Sequence, residues 1–378
     1  MSKPHHIYLD NNASTRLDER VLEEMLPYFT ENYANAGSPH LAGLAVKEAV
    51  EKAAWQTANL IGAKEEEIIF TSGATEAINL ALKGFENENK KHIVTIATEH
   101  KAVLDTCQYL ETIGYEVTYL SVENDGTLNL NLLNEAITDK TLIVCIMMIN
   151  NEIGVIHDIA KIASIVHAKN ALFLCDATQA VGKIPIDVNT LGIDIMPISA
   201  HKFYGQKGVG ALYISSKIKK KLSPLLHGGG QQQKLRSGTL NTTGIIGLGK
   251  AAEIIVNELE SNKVKIEKLR DQLEKGLLQF EGSFVNGNTQ NRIFNTSNIC
   301  FPGVNSETLI LALQHISVSN GSSCSAITSE PSHVLKALGL SNENALSSIR
   351  FSLSKYNTSE EIEETIATVL ALAEKLRN

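Results

Sequence analysis

"DIMPISAHKFYGQKGVGALY", residues 194 to 213, sets an apolar run directly against a lysine and then against glycines at 205, 208 and 210. Ile195 to Ser199 has the length of a buried strand, Lys202 follows it, and Gly210 to Ser215 begins a second run. Outward from this stretch the same unit recurs. "EIIFT" (67–71), "HIVTIA" (92–97), "EVTYLS" (116–121), "TLIVCIMM" (141–148) and "ALFLC" (171–175) are short apolar runs, most followed by an amphipathic segment. That alternation predicts an α/β domain, a mostly parallel sheet covered by helices on both faces.

Beyond it, residues 248–280 read as one long helix, with Ala252, Ile255, Leu259, Ile266, Leu269, Leu273 and Leu277 near helical spacing. Shorter strand candidates follow: "TSNICF" (296–301), "ISVSN" (316–320) and "SIRFSL" (348–353). Thr358 with Glu361 makes a capping box for a last helix whose apolar face is Ile362, Ile366, Val369 and Leu376. This part predicts a smaller α+β domain.

The 378 residues, 43% of them hydrophobic, suffice for about two domains with a sizeable core. A net charge of -8 gives no general attraction to nucleic acid or anionic lipid. The opening "MSKPHHIYLDNNAST" lacks the apolar core of a signal peptide, and no run approaches the roughly 18 apolar residues of a membrane span, so a cytoplasmic protein is expected. Five cysteines, an odd count without a C-x-x-C pair, argue against a disulfide framework or a zinc site.

Four strand ends carry candidate chemistry. Lys202 at the end of a buried strand is placed to lose hydration and form a Schiff base, or is simply solvated. Thr71 to Thr75, a Gly-containing turn opening a helix, suits an anion such as a phosphate, or is capped by Ser72 or Thr75. Asp176, with Gln179 three residues on, needs a cationic or donor partner such as a protonated pyridine nitrogen, or caps the next helix. His100 is placed to stack on a ring and move protons, or to cap. Two weaker matches are set aside: "GLGKAA" (247–252) opens the long helix with no strand before it, and "HGGG" (227–230) has no accompanying G-x-S-x-G.

"VSNGSSCSAITSEPSH" (318–333) holds one cysteine, Cys324, among small and polar residues. A free thiol in such a loop invites oxidation unless its reactivity is wanted. Cys107, Cys145, Cys175 and Cys300 fall in strand or helix patterns and are expected to be packed and inert.

In joint order these are the parts of a pyridoxal phosphate site. Together with "YLDNNAST", "TSGATEAINLALKG", "TEHKAVLDTC", "MINNEIGV", "DATQAVGKIPID", "HGGGQQQKLRSGTLN" and "SVSNGSSCSA", the chain resembles a class V aminotransferase-fold cysteine desulfurase of the group I (NifS/IscS) kind. The resemblance implies an aspartate aminotransferase-like fold. Residues 16–250 would form a large cofactor-binding domain, and 1–15 with 251–378 a small domain bearing the Cys324 loop. It implies that Lys202 holds pyridoxal phosphate as a Schiff base, His100 stacks on the ring and handles protons, Asp176 pairs with the pyridinium nitrogen, and Gln179 meets the phenolic oxygen. Ala74, Thr75, Ser199 and His201 would bind the phosphate, and Thr239 the phosphate of the other subunit of a homodimer. Asn151 would lie near ring and substrate, and Arg350 would grip the substrate carboxylate.

By the same resemblance Cys324 takes sulfur from L-cysteine as a persulfide, leaving L-alanine. It then passes the sulfur to an acceptor such as an iron-sulfur cluster scaffold, where Cys324 would be a shared cluster ligand, or into tRNA thiolation. A selenocysteine lyase and an ordinary aminotransferase of the same fold are alternatives; the loop thiol argues against the second. A non-enzymatic scaffold is opposed by the retention of Lys202, Asp176 and His100. The chain departs from the family pattern with Leu174 for His, His157 for Gln, Gln206 for Pro, and Ser354-Lys355 for Gly-Arg. It also ends soon after its last helix, without the longer tail some members use for docking.

Overall fold

The computed structural model describes residues 6–85, 90–321 and 330–377. Its strands are β1 (Ile7–Tyr8), β2 (Ile68–Thr71), β3 (His92–Ile96), β4 (Glu116–Leu120), β5 (Thr141–Cys145), β6 (Leu172–Leu174), β7 (Ile195–Ser199), β8 (Gly210–Ile214), β9 (Phe284–Val285), β10 (Thr296–Cys300), β11 (Ile316–Ser317) and β12 (Ser348–Ser352). A seven-stranded sheet runs in the order β2-β8-β7-β6-β5-β3-β4. Only β8 opposes its neighbours; the other strands run one way, as the alternating pattern predicts.

Burial explains the apolar runs. Strands β3, β5, β7 and β8 are buried along their whole length, so both faces must be apolar, whereas edge strand β4 is partly exposed and carries Glu116 and Thr118. At the opposite edge, β2 is paired on its free side by a side chain. The Gln232 amide accepts from Phe70 N at 2.6 Å and donates to Phe70 O at 2.8 Å, completing the ladder as a neighbouring strand would.

A helix at Thr242–Leu277, beginning six residues earlier than its apolar spacing predicts, packs on helices Glu19–Met25 and Leu41–Asn59 and on helix Ser359–Leu376. "GLGKAA" lies inside this helix rather than opening it. Its glycines serve packing: a Cβ on Gly249 would stand 2.6 Å from Ala53 Cα. The last helix has the expected Thr358–Glu361 capping box.

Strands β12, β10 and β9 form a separate antiparallel sheet. The N-terminal segment joins this side of the molecule: β1 pairs with β11 in parallel, and Asp10 bridges Ser352. Among the described residues no helix is long and apolar enough to cross a membrane.

Candidate active site

In a mostly parallel sheet the strand ends that share a direction open onto one edge, and ligands bind there. Here the carboxyl ends of β2, β3, β5, β6 and β7 open onto a cavity of about 500 Å³. Ala74, Thr75, His100, Asn151, Asp176, Gln179, Ser199, His201, Lys202 and Arg350 all line it. Thr239 is exposed and lies off the cavity of its own chain. Cys324 lies outside the described residues.

After β2 the chain turns at Gly73, with φ 154°, into helix Ala74–Lys83, which has no side-chain cap. Capping by Ser72 or Thr75 is therefore not what holds this terminus, and its first amides remain available to an anion. The adjoining start of β8 also needs glycine, since a Cβ on Gly210 would sit 2.7 Å from Gly73 Cα. Glu76 secures the turn by accepting from Ser72 N at 2.7 Å and pairing with Arg236 at 2.8 Å, which ties down the "RSGT" segment. Ser199 Oγ lies 3.7 Å from where a Cβ on Gly73 would stand, and His201 lines the same cavity. Burial first, then Lys202 and Lys207, holds His201 at a pKa of about 4, so its imidazole is neutral at neutral pH.

His100 both caps and lines. Its Nδ1 accepts from Ala102 N at 3.0 Å at the start of helix Lys101–Thr112. An imidazole that accepts at Nδ1 carries its proton on Nε2. Burial, reinforced by Lys202 and His333 and opposed by Asp176, lowers its pKa and keeps it neutral.

Asp176 follows β6 and uses Oδ1 to accept from Thr178 N at 2.9 Å, which leaves Oδ2 for a donor in the cavity. No helix follows it, so it is not a cap. Gln179 donates Nε2 to Asn12 O at 2.9 Å. Lys202 donates to the carbonyls of Asn12 at 2.6 Å and Ala13 at 2.9 Å. Arg350, 2% exposed on β12, pairs through Nη2 with Asp10 at 2.6 Å and donates Nη1 to Asn151 O at 3.1 Å. Its Nε, and Asn151 Oδ1, are buried without partners among the described residues.

Several residues at the site carry no sequence signal that singled them out. Asn12 is the hub: Nδ2 donates to Asn151 O and Thr296 Oγ1, while Oδ1 accepts from Asn295 and Lys183. In the sequence it stands inside "YLDNNAST", one of the motifs of the resemblance, with no role of its own. Glu152, in the cavity wall, accepts from Ser332 Oγ at 2.5 Å, and burial raises its pKa. Glu99, which accepts from Met147 N, is fully buried with Oε2 unpartnered among the described residues, and burial and Asp176 push its pKa well up. Of the departures, Lys355 pairs with Asp18 and Glu258.

The four described cysteines are free and buried. Burial raises the thiol pKa of Cys107 to about 12 and of Cys300 to about 11, and raises Cys145 and Cys175 as well. They are packed as expected, although Cys175 sits one residue beyond β6. Among the described residues no group of His, Cys, Asp or Glu is arranged to hold a metal ion.

The model of the aminotransferase class-V family matches residues 7–365. A cysteine desulfurase IscS from Pasteurella multocida is 48% identical over 377 residues, covering 98% of this chain and 93% of that protein. Among solved structures, a NifS-like protein matches with a TM-score of 0.92 at 39% identity, covering 98% of this chain and 100% of the other. A structure described as SspA in complex with cysteine matches at 0.83 and 36% identity, covering 93% and 100%. The chain belongs to the aminotransferase class-V family. Within that family it falls with the cysteine desulfurases, enzymes that depend on pyridoxal phosphate, rather than with selenocysteine lyases or ordinary aminotransferases.

The residues present fit that cofactor. The cavity offers a carboxylate oxygen for a protonated ring nitrogen, an imidazole, a lysine amine, an uncapped helix terminus for a phosphate, and the orphaned Asn151 Oδ1.

Proposed function

We propose that this enzyme turns L-cysteine into L-alanine and moves the sulfur onto Cys324 through the residues gathered at the cavity. The observation that carries the reading is the convergence of Lys202, Asp176, His100, Gln179 and Arg350 on one cavity from four separate segments. Lys202 would hold pyridoxal phosphate covalently, Asp176 its ring nitrogen, Gln179 its phenolic oxygen, and Ala74, Thr75, Ser199 and His201 its phosphate. Bound there, the cofactor supplies an electron sink that makes the substrate's bonds at Cα and Cβ labile.

The chain's own groups do the rest. Arg350, held by Asp10 and Asn151 O, orients the substrate carboxylate through its remaining donors. Lys202 Nζ takes the Cα proton, and His100, with its proton on Nε2, donates where a proton is needed. Cys324 Sγ, as thiolate, attacks the substrate sulfur. The Cβ–S bond breaks, an S–S bond forms, and the carbon fragment takes up protons to become alanine. Cysteine and a thiol thus become alanine and a persulfide, with atoms and electrons balanced.

The exposed Thr239 supports a homodimer in which it completes the partner's phosphate site. Leu26, Phe29, Tyr33, Leu41 and Trp55, all exposed on the N-terminal helical region, offer an apolar surface for such an interface. The β1–β11 pairing supports grouping residues 1–15 with 251–378 against a large domain at 16–250. The sulfur would go to an acceptor protein in the cytoplasm, an iron-sulfur scaffold that shares Cys324 as a cluster ligand, or a tRNA-thiolation protein.

Peptide mass mapping tests the reading. With excess L-cysteine and no acceptor, one extra sulfur is expected on the peptide containing Cys324. Cys324→Ala should keep the cofactor yet nearly stop alanine production. Sulfur on another cysteine, or full alanine turnover in that variant, would sink it. For the dimer, mixing Lys202→Ala and Thr239→Ala chains should restore one intact site per heterodimer.

A further inference from the structure

Lys183 is a second buried lysine at this site, and the mechanism above does not use it. It is 8% exposed, and among the described residues no carboxylate lies within ion-pair distance. Its Nζ donates to Gln179 Oε1 at 2.6 Å and to Asn12 Oδ1 at 3.2 Å. A buried ammonium satisfied by two amide oxygens is costly where an apolar side chain of the same length would pack. Its contacts show what it does.

An ammonium has only donors. The Gln179 amide must therefore turn its oxygen to Lys183, which sends Nε2 to the other side, where one hydrogen meets Asn12 O at 2.9 Å and the other is left to donate. With the amide reversed, NH₂ would face NH₃⁺ and the amide oxygen would face a carbonyl, two repulsive contacts at once. We propose that Lys183 is a positioning residue of the desulfurase site, fixing the Gln179 amide so that its N–H is always presented to the cavity. The inference rests on the functional reading above, in which that N–H meets the cofactor's phenolic oxygen.

The charge of Lys183 makes the lock sensitive to pH. Burial first, then Lys202 and Arg350, lowers its pKa to about 7. Those two cations, after β7 and on β12, face it together with Tyr204, which lies across the small cavity beneath it, while the long helix offers only the uncharged Ile255, Asn262 and Ile266. Below pH 7 the ammonium enforces one amide orientation. Above it the neutral amine also accepts, and the constraint weakens.

The test uses the full-length holoenzyme and the variants Lys183→Met, Lys183→Arg, Gln179→Ala and the Met/Ala double variant. In the first measurement, Lys183→Met and Gln179→Ala should each shift the pH midpoint of the cofactor's visible absorbance by about one unit. The double variant should add nothing, because one residue acts through the other, and Lys183→Arg should stay within a few tenths of wild type. An unshifted midpoint in Lys183→Met, or additive shifts in the double variant, overturns the proposal.

The second measurement needs no cofactor: hydrogen exchange of the Gln179 side-chain amide, selectively ¹⁵N-labelled. Exchange should accelerate several-fold in Lys183→Met and, in wild type, as pH rises through about 7 beyond the ordinary base-catalysed trend. In Lys183→Arg it should follow the ordinary trend alone. If Lys183→Met does not fold, the wild-type and Arg profiles decide, and identical profiles overturn the proposal. A protein without a cofactor band would instead refute the functional reading, and the exchange data would still decide the role of Lys183.

Discussion

The floor and the wall of the cavity are built by different rules. The floor consists of strand ends: Lys202, Asp176, His100 and the Gly73 turn each stand a few residues past a buried strand, and the parallel direction of those strands brings them together. The wall consists of residues 10–15 laid against β10 and β12, and polar bonds between distant parts of the chain hold it there. Asn12 reaches Thr296 and Asn295, Asp10 reaches Arg350, and Ser352 N donates to Leu9 O at 2.7 Å. Floor residues are free to be chosen for chemistry because hydrophobic strands fix their positions. Wall residues spend their polarity on holding the wall.

If that contrast is right, substitution should separate activity from stability. Lys202→Ala in the floor should lower alanine production by about 10³-fold or more. It should leave the unfolding midpoint almost unmoved, since the amine donates to two main-chain carbonyls that water can also satisfy. Parallel assays of turnover and thermal unfolding check both halves; a large loss of stability would break the contrast.

Asn12→Ala in the wall should do the reverse. It strips partners from buried Asn295, Lys183 and Thr296, at a cost of about 3 kcal/mol in urea unfolding. Its main-chain carbonyl, which serves Lys202 and Gln179, is unaffected by the substitution. Activity per folded molecule should fall less than in Lys202→Ala.

This division also marks what the sequence made legible. Strand runs, the glycine turn at 71–75 and Lys202 at a strand end are local patterns, and the structure places them together as the α/β reading implies. Asn12, Lys183 and Glu152 were not legible, because a buried polar residue owes its meaning to partners far away in sequence. His100 shows a third case: stacking on a ring and capping stood as alternatives in the sequence, and the structure has one nitrogen capping while the side chain also lines the cavity, so the two are compatible. The Cys324 loop was read from its composition and from the family resemblance, and residues 322–329, Cys324 among them, lie outside those described.

Two histidines sharpen the contrast through pH. His201 in the floor and the buried His157 outside the cavity lining are both held at a pKa of about 4, chiefly by burial, with Asp125 the charged group opposing this at His157. A folded pKa below the unfolded value near 6.5 costs nothing above pH 6.5 and destabilises progressively as pH falls to 4, because only the unfolded chain takes up the proton. Each should cost about 2 kcal/mol at pH 5. His157→Gln should therefore recover about that much at pH 5 and little at pH 8, in urea unfolding at both values. Equal effects at both would mean that the titration of His157 contributes nothing.

The smallest expected effect lies where a distant polar contact supports the floor itself. Gln232 comes from a Gly/Gln patch, "HGGGQQQ" (227–233), and pairs with both main-chain groups of Phe70 on edge strand β2, the strand that leads into the Gly73 turn. Its amide replaces a missing strand with one residue's worth of ladder, and its backbone takes a positive φ of 49° to do so. Each of the two bonds exchanges a water contact for a protein contact, so Gln232→Ala should cost only about 1 kcal/mol overall, water taking over at the exposed edge. The local effect should be sharper than the global one. Hydrogen exchange at the Phe70 amide should accelerate by an order of magnitude or so, while central strands such as β7 keep their protection. Unchanged exchange at Phe70 would mean that the patch is a surface loop with no hold on the sheet. Loss of protection throughout the sheet would mean that the floor depends on long-range polar contacts as heavily as the wall does.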